Sequence, residues 1–267
     1  MSETKYQPVA LITGATSGIG LEYAWTFANM GYDILLTGQR GKILKRLCSQ
    51  IKNKHNIKAE YITGNLALAK HIKELCELIS QTPNLHVLIN NAGYTRLQPF
   101  YEDNVNAQAD ILKVHAEAAL KLSHSAIPVL KKHTWGAIIN VSSIAAFNIG
   151  YKDLLYNASK AFLLNFSESL HLLLNNTGIK VQVLCPGLTK TDFHMKLGMD
   201  NNHPFFSQHK FMSTKEVVHI SLRCLEKNKV VCIPGLRNKL RILLMKYIPR
   251  KLLYNLHLAK KTQDATK

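Results

Sequence analysis

Short apolar runs alternate with longer segments of helical periodicity along most of the chain, and no other feature constrains the fold as strongly. Continuous apolar runs are typical of strands buried on both faces, and a helical segment between two runs provides the crossover that parallel strands require. The expected fold class is therefore α/β, a doubly wound, seven-stranded parallel sheet with helices on both faces. The predicted strands are Val9–Thr13, Tyr32–Thr37, Lys58–Thr63, Val87–Ile89, Ala137–Val141, Lys180–Leu184 and Val230–Ile233.

The segments between these strands predict helices at Gly18–Met30, Gly41–Lys54, Leu68–Ser80, about Asn104–Lys132, Leu154–Asn176 and Thr214–Lys227. The last helix is preceded by Ser213, with Glu216 three residues later, which is the spacing of a capping box. The chain has 267 residues, of which 46% are hydrophobic, and contains no internal repeat or linker. We therefore expect one domain spanning residues 1–267.

Residues 187–212 fall outside the regular alternation and follow the sixth strand. They mix polar residues with Phe193, Met195, Leu197, Met199, Phe205 and Phe206. Ligands of doubly wound sheets bind beyond the carboxyl ends of the strands, so this segment is predicted to cover a substrate. An ordinary surface loop is the alternative.

The C-terminal extension, residues 236–267, is predicted to be helical, amphipathic and basic. Its apolar residues at helical spacing are Leu240, Leu243, Leu244, Tyr247, Ile248, Leu252 and Leu256. This stripe could pack on the body of the protein, on a partner subunit or on an anionic membrane surface. Packing on protein is the favoured interpretation, because such stripes more often form protein contacts.

The net charge of +17 comes from lysines and arginines spread along the chain, with the densest cluster near the C-terminus. No nucleic-acid-binding motif accompanies them, so a solvated basic surface is favoured over a nucleic-acid partner. The five cysteines are scattered and form no C-x-x-C pair, so neither disulfides nor a metal site is expected. With no signal peptide or apolar spanning segment evident, a cytoplasmic protein is expected.

A glycine-rich turn, Thr13-Gly14-Ala15-Thr16-Ser17-Gly18-Ile19-Gly20, follows the first strand and opens directly into a helix. Such glycines let the backbone approach a pyrophosphate, whose charge is stabilised by the free amides at the helix start. The spacing G-x-x-x-G-x-G differs from the commoner G-x-G-x-x-G. Alone, it does not distinguish a nucleotide site from an ordinary strand-to-helix turn.

Four further motifs stand at strand ends or at a helix start: Asn90-Asn91-Ala92-Gly93, Asn140-Val141-Ser142-Ser143, Tyr156-Asn157-Ala158-Ser159-Lys160 and Pro186-Gly187. In order and separation, these motifs and the glycine turn resemble the short-chain dehydrogenase/reductase family from about Val9 to Gly235. The resemblance implies a Rossmann-like fold and an oxidoreductase that moves a hydride between a nicotinamide and a carbonyl or alcohol. A cofactor-binding regulatory protein without turnover is the alternative.

By this resemblance, the catalytic residues are Ser143, Tyr156 and Lys160. Hydride delivery to a carbonyl leaves negative charge on oxygen, which requires a proton donor already in place. Tyr156 is expected to be that donor, and base in the reverse direction, with Ser143 orienting the substrate oxygen. A tyrosine working near neutrality needs a pKa lowered by about three units, or about 4 kcal/mol. A lysine at about 4 Å supplies about that energy, so Lys160 is expected to lower the pKa of Tyr156.

His115 stands where the family usually carries an asparagine that holds a water in a relay to the active-site lysine. A histidine ring can also bind water and, with a pKa near 6.5, pass protons itself. His115 is therefore a fourth catalytic candidate. A packed histidine that takes no part is the alternative.

Gln39 and Arg40 follow the second strand, where an acidic residue would bond the ribose of NAD. A guanidinium suits a phosphate better, so NADP(H) is favoured over NAD(H). The cofactor-binding residues implied by the resemblance are Gly14, Ser17, Ile19, Gly20, Arg40, Asn65, Asn91, Gly93, Tyr156, Lys160, Pro186, Gly187 and Thr189. The resemblance also implies a small-molecule substrate, for which the loop suggests apolar character, and a homodimer or homotetramer paired through the two long helices.

Overall fold

The computed structural model describes residues 7–96, 98–195 and 210–265. Its centre is a seven-stranded parallel sheet in the order β3-β2-β1-β4-β5-β6-β7. The predicted fold class is confirmed, and each strand lies within about two residues of its predicted bounds. The strands are β1 Val9–Thr13, β2 Asp33–Gly38, β3 Ala59–Thr63, β4 Leu85–Asn90, β5 Gly136–Val141, β6 Ile179–Leu184 and β7 Val231–Cys232.

Helices cover both faces of this sheet. They are α1 Gly18–Asn29, α2 Gly41–Lys54, α3 Ala69–Ser80, α4 Val105–Leu112, α5 Ala118–Leu130, α6 Leu154–Leu173, α7 Asp192–Met195, α8 Thr214–Glu226, α9 Leu236–Tyr247 and α10 Arg250–Ala265. A π-helical turn, Lys113–Glu117, joins α4 to α5, and a 3₁₀ turn, Ile144–Phe147, precedes α6.

Two apolar cores stabilise the sheet, one on each face. Because successive side chains of a strand point to opposite faces, Ala10 and Ile12 of β1 lie in one core, and Val9 and Leu11 lie in the other. Each fully buried aliphatic side chain contributes about 1.5–3 kcal/mol relative to exposure. The sheet is thus fixed from both sides, and its strand ends form a rigid frame.

The predicted capping box is present at the start of α8. The hydroxyl of Ser213 accepts a hydrogen bond from the amide of Glu216, whose carboxylate accepts one from the amide of Ser213 at 2.8 Å. Two amides without partners in the helix are thereby satisfied.

The structure differs from the prediction in two long helical segments. The single helix expected over about 104–132 is interrupted by the π-helical turn, and the C-terminal tail divides into α9 and α10. The second break has a local cause. Pro249 disfavours helical backbone in the residue before it, and Ile248 is extended, with φ −76° and ψ 122°.

The strand order places the candidate site. β1 lies between β2 and β4, so the chain reverses its direction of winding beside β1. In such sheets a crevice opens beyond the carboxyl ends of the strands at that point. The glycine turn after β1 lies at this crevice.

Candidate active site

A cavity of about 1140 Å³ lies along the carboxyl ends of the strands. The motifs after β1, β4 and β5, the start of α6 and the turn after β6 all contribute to its walls. The predicted site residues that line it are Gly14, Ser17, Ile19, Arg40, Asn65, Asn91, Gly93, Ser143, Tyr156, Lys160, Pro186, Gly187 and Thr189. Gly20 and His115 are not among the lining residues. They support the site from behind.

The glycine turn is held tightly against the end of β4. Gly14 has φ +66°, and a Cβ there would stand 2.8 Å from Cα of Ala92. A Cβ on Gly20 would collide with the side-chain amide of Asn91, which donates to the carbonyl of Thr13 at 2.9 Å. Gly14, Ser17 and the helix start at Gly18 line the cavity, and the first amides of a helix suit a pyrophosphate. The residues present therefore fit a dinucleotide.

Arg40 extends over the glycine turn. Its guanidinium donates to the hydroxyl of Thr16 at 2.8 Å and to that of Ser17 at 2.8 Å. Asp192 lies 3.5 Å from the guanidinium as an ion-pair partner. A cation and two hydroxyls therefore meet where β2 ends. Thr16 and Asp192 were not predicted as site residues, because Thr16 had no role of its own within the glycine turn and Asp192 lies outside the motifs.

Asn65 lies on the same side of the cavity, after β3. Its side-chain oxygen accepts from the amide of Ala67 at 3.0 Å and from the side chain of Gln39 at 3.3 Å. The side chain is fixed by its own turn, as expected of an Asx turn.

Tyr156 and Lys160 lie one turn apart on α6, and Ser143 faces them from the end of β5. The ammonium of Lys160 lies 5.5 Å from the centroid of the Tyr156 ring. Burial raises the pKa of Tyr156 to about 12, and the hydrogen bond with Ser143 opposes that rise. The tyrosine is therefore protonated at neutral pH, and the expected lowering of its pKa by Lys160 does not occur in this arrangement.

The reason lies in the position of the ammonium. Lys160 is only 4% exposed, and its ammonium donates to the carbonyl of Val141 at 2.9 Å. Burial lowers the pKa of Lys160 to about 8. Near neutral pH this lysine lies close to its titration point, which is unusual for a lysine and typical of functional sites.

His115 lies on the π-helical turn, 1% exposed, and its ring centroid lies 5.8 Å from that of Tyr156. Its Nε2 accepts from the amide of Tyr94 at 3.0 Å, and its Nδ1 lies 2.8 Å from the hydroxyl of Ser159. That hydroxyl donates to the carbonyl of Tyr156, so it accepts from Nδ1–H. Both ring nitrogens are bonded to protein groups.

The protonation state of His115 follows from these contacts. Burial, and then the nearby Lys160 cation, hold the pKa of His115 well below its usual range. The ring is therefore neutral, with its proton on Nδ1. The hypothesis that His115 carries protons or binds a water requires a free ring nitrogen, and neither nitrogen is free in this arrangement.

The turn after β6 closes the other side of the cavity. The hydroxyl of Thr189 donates to the carbonyl of Gly187 at 3.0 Å. A Cβ on Gly187 would stand 2.5 Å from the side chain of Asn238, so the start of α9 packs directly on this turn. Arg241, Ile242 and Met245 of α9 consequently reach the cavity wall. Sequence reasoning missed them, although their helical spacing marks a second face of α9.

The segment predicted to cover a substrate is described only in part. Phe193 lines the cavity, and its ring centroid lies 5.9 Å from that of Tyr156. Leu197, Met199, Phe205 and Phe206 lie outside the described residues, as does the side chain of Met195.

A model of the short chain dehydrogenase family matches residues 8–202. The chain belongs to this family. It is therefore an oxidoreductase with a Rossmann-like fold. It transfers a hydride between a nicotinamide cofactor and a small-molecule substrate. In the described part of the chain, no helix is both long and apolar enough to cross a bilayer. No cluster of described His, Cys, Asp or Glu residues could hold a metal ion.

Similar proteins are consistent with membership of this family. The 3-oxoacyl-[acyl-carrier-protein] reductase of Aquifex aeolicus is 29% identical over 80% of this chain and 88% of its own. A short-chain dehydrogenase from Sphingobium yanoikuyae, solved in complex with NADPH, is 27% identical with a TM-score of 0.80, covering 91% of this chain and 96% of its own. A bulky-bulky ketone specific alcohol dehydrogenase from Comamonas testosteroni is 26% identical with a TM-score of 0.77, covering 91% and 95%.

Proposed function

We propose that this protein is an NADP(H)-dependent carbonyl reductase in which Ser143, Tyr156 and Lys160 perform the catalysis. One observation carries the proposal. The Ser143–Tyr156 pair and the buried Lys160 share a single cavity with the glycine turn and Arg40. A ligand that spans this cavity would therefore contact a phosphate site at one end and a proton donor at the other.

The cofactor is assigned to defined parts of the cavity. Gly14 and Ser17 would hold the pyrophosphate, and Gly93 and Thr189 would hold the nicotinamide end. A bound nicotinamide dinucleotide supplies the hydride. Arg40, with the hydroxyls of Thr16 and Ser17, forms a cationic donor set suited to a 2′-phosphate, and this supports NADP(H) over NAD(H).

Tyr156 gives its proton to the developing alkoxide of the substrate. With a pKa of about 12, it holds that proton throughout the neutral range, which suits reduction of a carbonyl. Ser143, already paired with the tyrosine, donates the second hydrogen bond to the same oxygen. Lys160 provides a buried positive charge behind the tyrosine, and its contact with Val141 holds it on the cofactor side of the cavity.

The proposed substrate is predominantly apolar. Leu188, Phe193, Ile242 and Met245 line the part of the cavity beyond the catalytic residues. We assign residues 187–212 as the substrate-covering segment, in one domain that includes the C-terminal extension. The long helices around α5 and α6 remain the proposed interface of a homodimer or homotetramer.

The test is NADPH oxidation against a panel of aldehydes, ketones, quinones, steroids and 3-oxoacyl thioesters, run beside Tyr156→Phe. We expect at least one apolar carbonyl to be reduced, with turnover lowered at least about a hundredfold in the variant, since general acid catalysis contributes 10²–10⁴-fold. NADPH binding, measured by calorimetry, should be unchanged. Tight NADPH binding without turnover of any compound would favour a regulatory protein of the same fold.

A further inference from the structure

The outward face of α9 carries an apolar stripe that is exposed among the residues that the structure describes. At about 100° per residue, its five members fall within an arc of roughly 100°. They are Leu236, Leu240, Leu243, Leu244 and Tyr247, and each is between 52% and 82% exposed. We call this set the α9 stripe. A contiguous exposed apolar surface of this kind marks an interaction site.

Basic residues border the α9 stripe on both sides. On the same helical wheel, Lys239 and Lys246 lie along one edge, and Arg237 lies along the other, with Arg241 between that edge and the cavity wall. The surrounding segment is also basic, because residues 227–263 contain ten Lys and Arg residues and no Asp or Glu. The ten are Lys227, Lys229, Arg237, Lys239, Arg241, Lys246, Arg250, Lys251, Lys260 and Lys261.

The opposite face of α9 fixes which side of the helix points outward. Ile242 and Met245 line the cavity, and the side chain of Asn238 donates to the carbonyl of Pro234 at 2.7 Å. A rotation that buried the α9 stripe would withdraw these residues from the cavity wall. The exposure of the stripe is therefore coupled to the shape of the substrate end of the cavity.

We propose that α9 docks on the surface of an anionic lipid bilayer. An apolar stripe bordered by cations is the pattern of a helix that lies in the plane of the interface, with leucines among the acyl chains and lysines at the headgroups. Each basic residue near an anionic surface contributes about 1 kcal/mol. A second copy of the chain fits this surface less well. In a symmetric dimer the surface, which has basic residues and no acidic ones, would face an identical surface, and the like charges would repel.

Docking in this orientation places the substrate end of the cavity at the membrane. Met245 reaches the cavity from the helix whose other side would lie among lipids, so an apolar carbonyl could enter from the bilayer. This last step rests on the proposed function. The proposed docking does not rest on that function, since it depends on the outer face of α9 alone.

The experiment is co-sedimentation of the full chain with vesicles of phosphatidylcholine alone and of phosphatidylcholine with phosphatidylglycerol. We expect binding to the anionic vesicles, at least tenfold stronger than to the neutral ones, and weakened by added salt. The variant Lys239→Glu/Lys246→Glu should lose at least tenfold in partitioning. Leu240→Ser/Leu244→Ser should lose a similar factor while the charge is unchanged.

The matched control is Lys45→Glu/Lys52→Glu, which changes the same charge at the same seven-residue spacing on the exposed face of α2. It should bind anionic vesicles within about twofold of the parent. Equal losses of vesicle binding in both charge variants would show that binding depends only on net charge, and would overturn the proposal. The proposal would also be overturned if the parent did not bind anionic vesicles. A dimer, seen by light scattering, that Leu240→Ser/Leu244→Ser converts to monomer would overturn it as well. NADPH binding, followed throughout, separates any failure of docking from failure of the proposed function.

Discussion

The imidazole of His115 is hydrogen-bonded to the hydroxyl of Ser159, with 2.8 Å between Nδ1 and Oγ. Ser159, the residue before Lys160, in turn donates to the carbonyl of Tyr156. Nε2 meanwhile anchors the amide of Tyr94 in the loop after β4. His115 thus connects the two segments that face each other across the candidate site. Because both ring nitrogens bond protein groups, we expect His115 to position the site and not to carry protons.

We predict that His115→Ala lowers kcat at least about tenfold, because small displacements of catalytic groups cost up to 10²-fold in rate. Steady-state kinetics with the best substrate of the panel measures this. Since the ring is neutral, the parent pH–rate profile should show no inflection from an imidazole between about pH 6 and 7. His115→Asn, which retains a donor and an acceptor, should recover part of the loss. Unchanged turnover in His115→Ala would remove His115 from the mechanism.

Arg40→Ala should weaken NADPH binding by at least about tenfold, since a hydrogen bond to a charged group contributes about 1.5–3 kcal/mol. NADH lacks the 2′-phosphate, so its affinity should change less than about threefold. Calorimetric titration of both cofactors checks the prediction. Arg46→Ala, an exposed arginine of α2, is the control and should leave both affinities unchanged. A parent protein that bound NADH as tightly as NADPH would contradict the assignment.

Burial of Lys160 should make stability depend on pH in a defined window. Its pKa of about 8 in the folded chain lies below the usual 10.5, so the unfolded chain binds more protons between these values. The contribution of Lys160 to stability therefore rises with pH across the window and is least favourable below pH 8. Lys160→Met should remove about 3 kcal/mol of this dependence.

Urea unfolding of the parent and of Lys160→Met, at pH values from 7 to 10, measures the effect. The variant should be more stable than the parent at pH 7, and its advantage should shrink as the pH rises. The loss of the Val141 hydrogen bond offsets part of the gain at every pH, by about 1 kcal/mol. A difference that stays constant with pH would show that the lysine is not desolvated as the structure indicates.

The sequence predicted the sheet well because buried parallel strands leave a strong local signal. β1 and α2 match their predicted bounds, since an apolar run and an amphipathic repeat are both readable from neighbouring residues. The π-helical turn at Lys113–Glu117 has no comparable signal. It carries His115, whose contacts with Tyr94 and Ser159 join it to distant parts of the chain.

In the candidate site, too, some features could be predicted from the sequence and others could not. Motif positions such as Gly14, Ser143 and Tyr156 meet in one cavity, as expected from strand ends of a doubly wound sheet. The electrostatics could not be predicted, because the pKa of Tyr156 depends on burial and on where the ammonium of Lys160 points. Neither quantity is a property of spacing along the chain.

A buried polar network beneath the site gives a last prediction. Asn140 of β5 is fully buried, donates to the hydroxyl of Ser167 at 2.9 Å and accepts from the side chain of Asn90 at 2.8 Å. It thereby links two central strands to α6. Asn140→Ala removes both of these bonds, while Ser167 still donates to the carbonyl of Leu163 and Asn90 to the hydroxyl of Ser123. With about 0.5–1.5 kcal/mol for each lost bond, we expect a loss of about 1–3 kcal/mol.

Urea unfolding of Asn140→Ala measures this loss, and Asn175→Ala, at an exposed asparagine, should stay within about 0.5 kcal/mol of the parent. Because the network holds the strand that precedes Ser143, the folded variant should also lose turnover while its NADPH affinity changes little. A variant that was destabilised yet fully active would show that the network maintains the fold without aligning Ser143. A variant of unchanged stability would contradict the burial of the network itself.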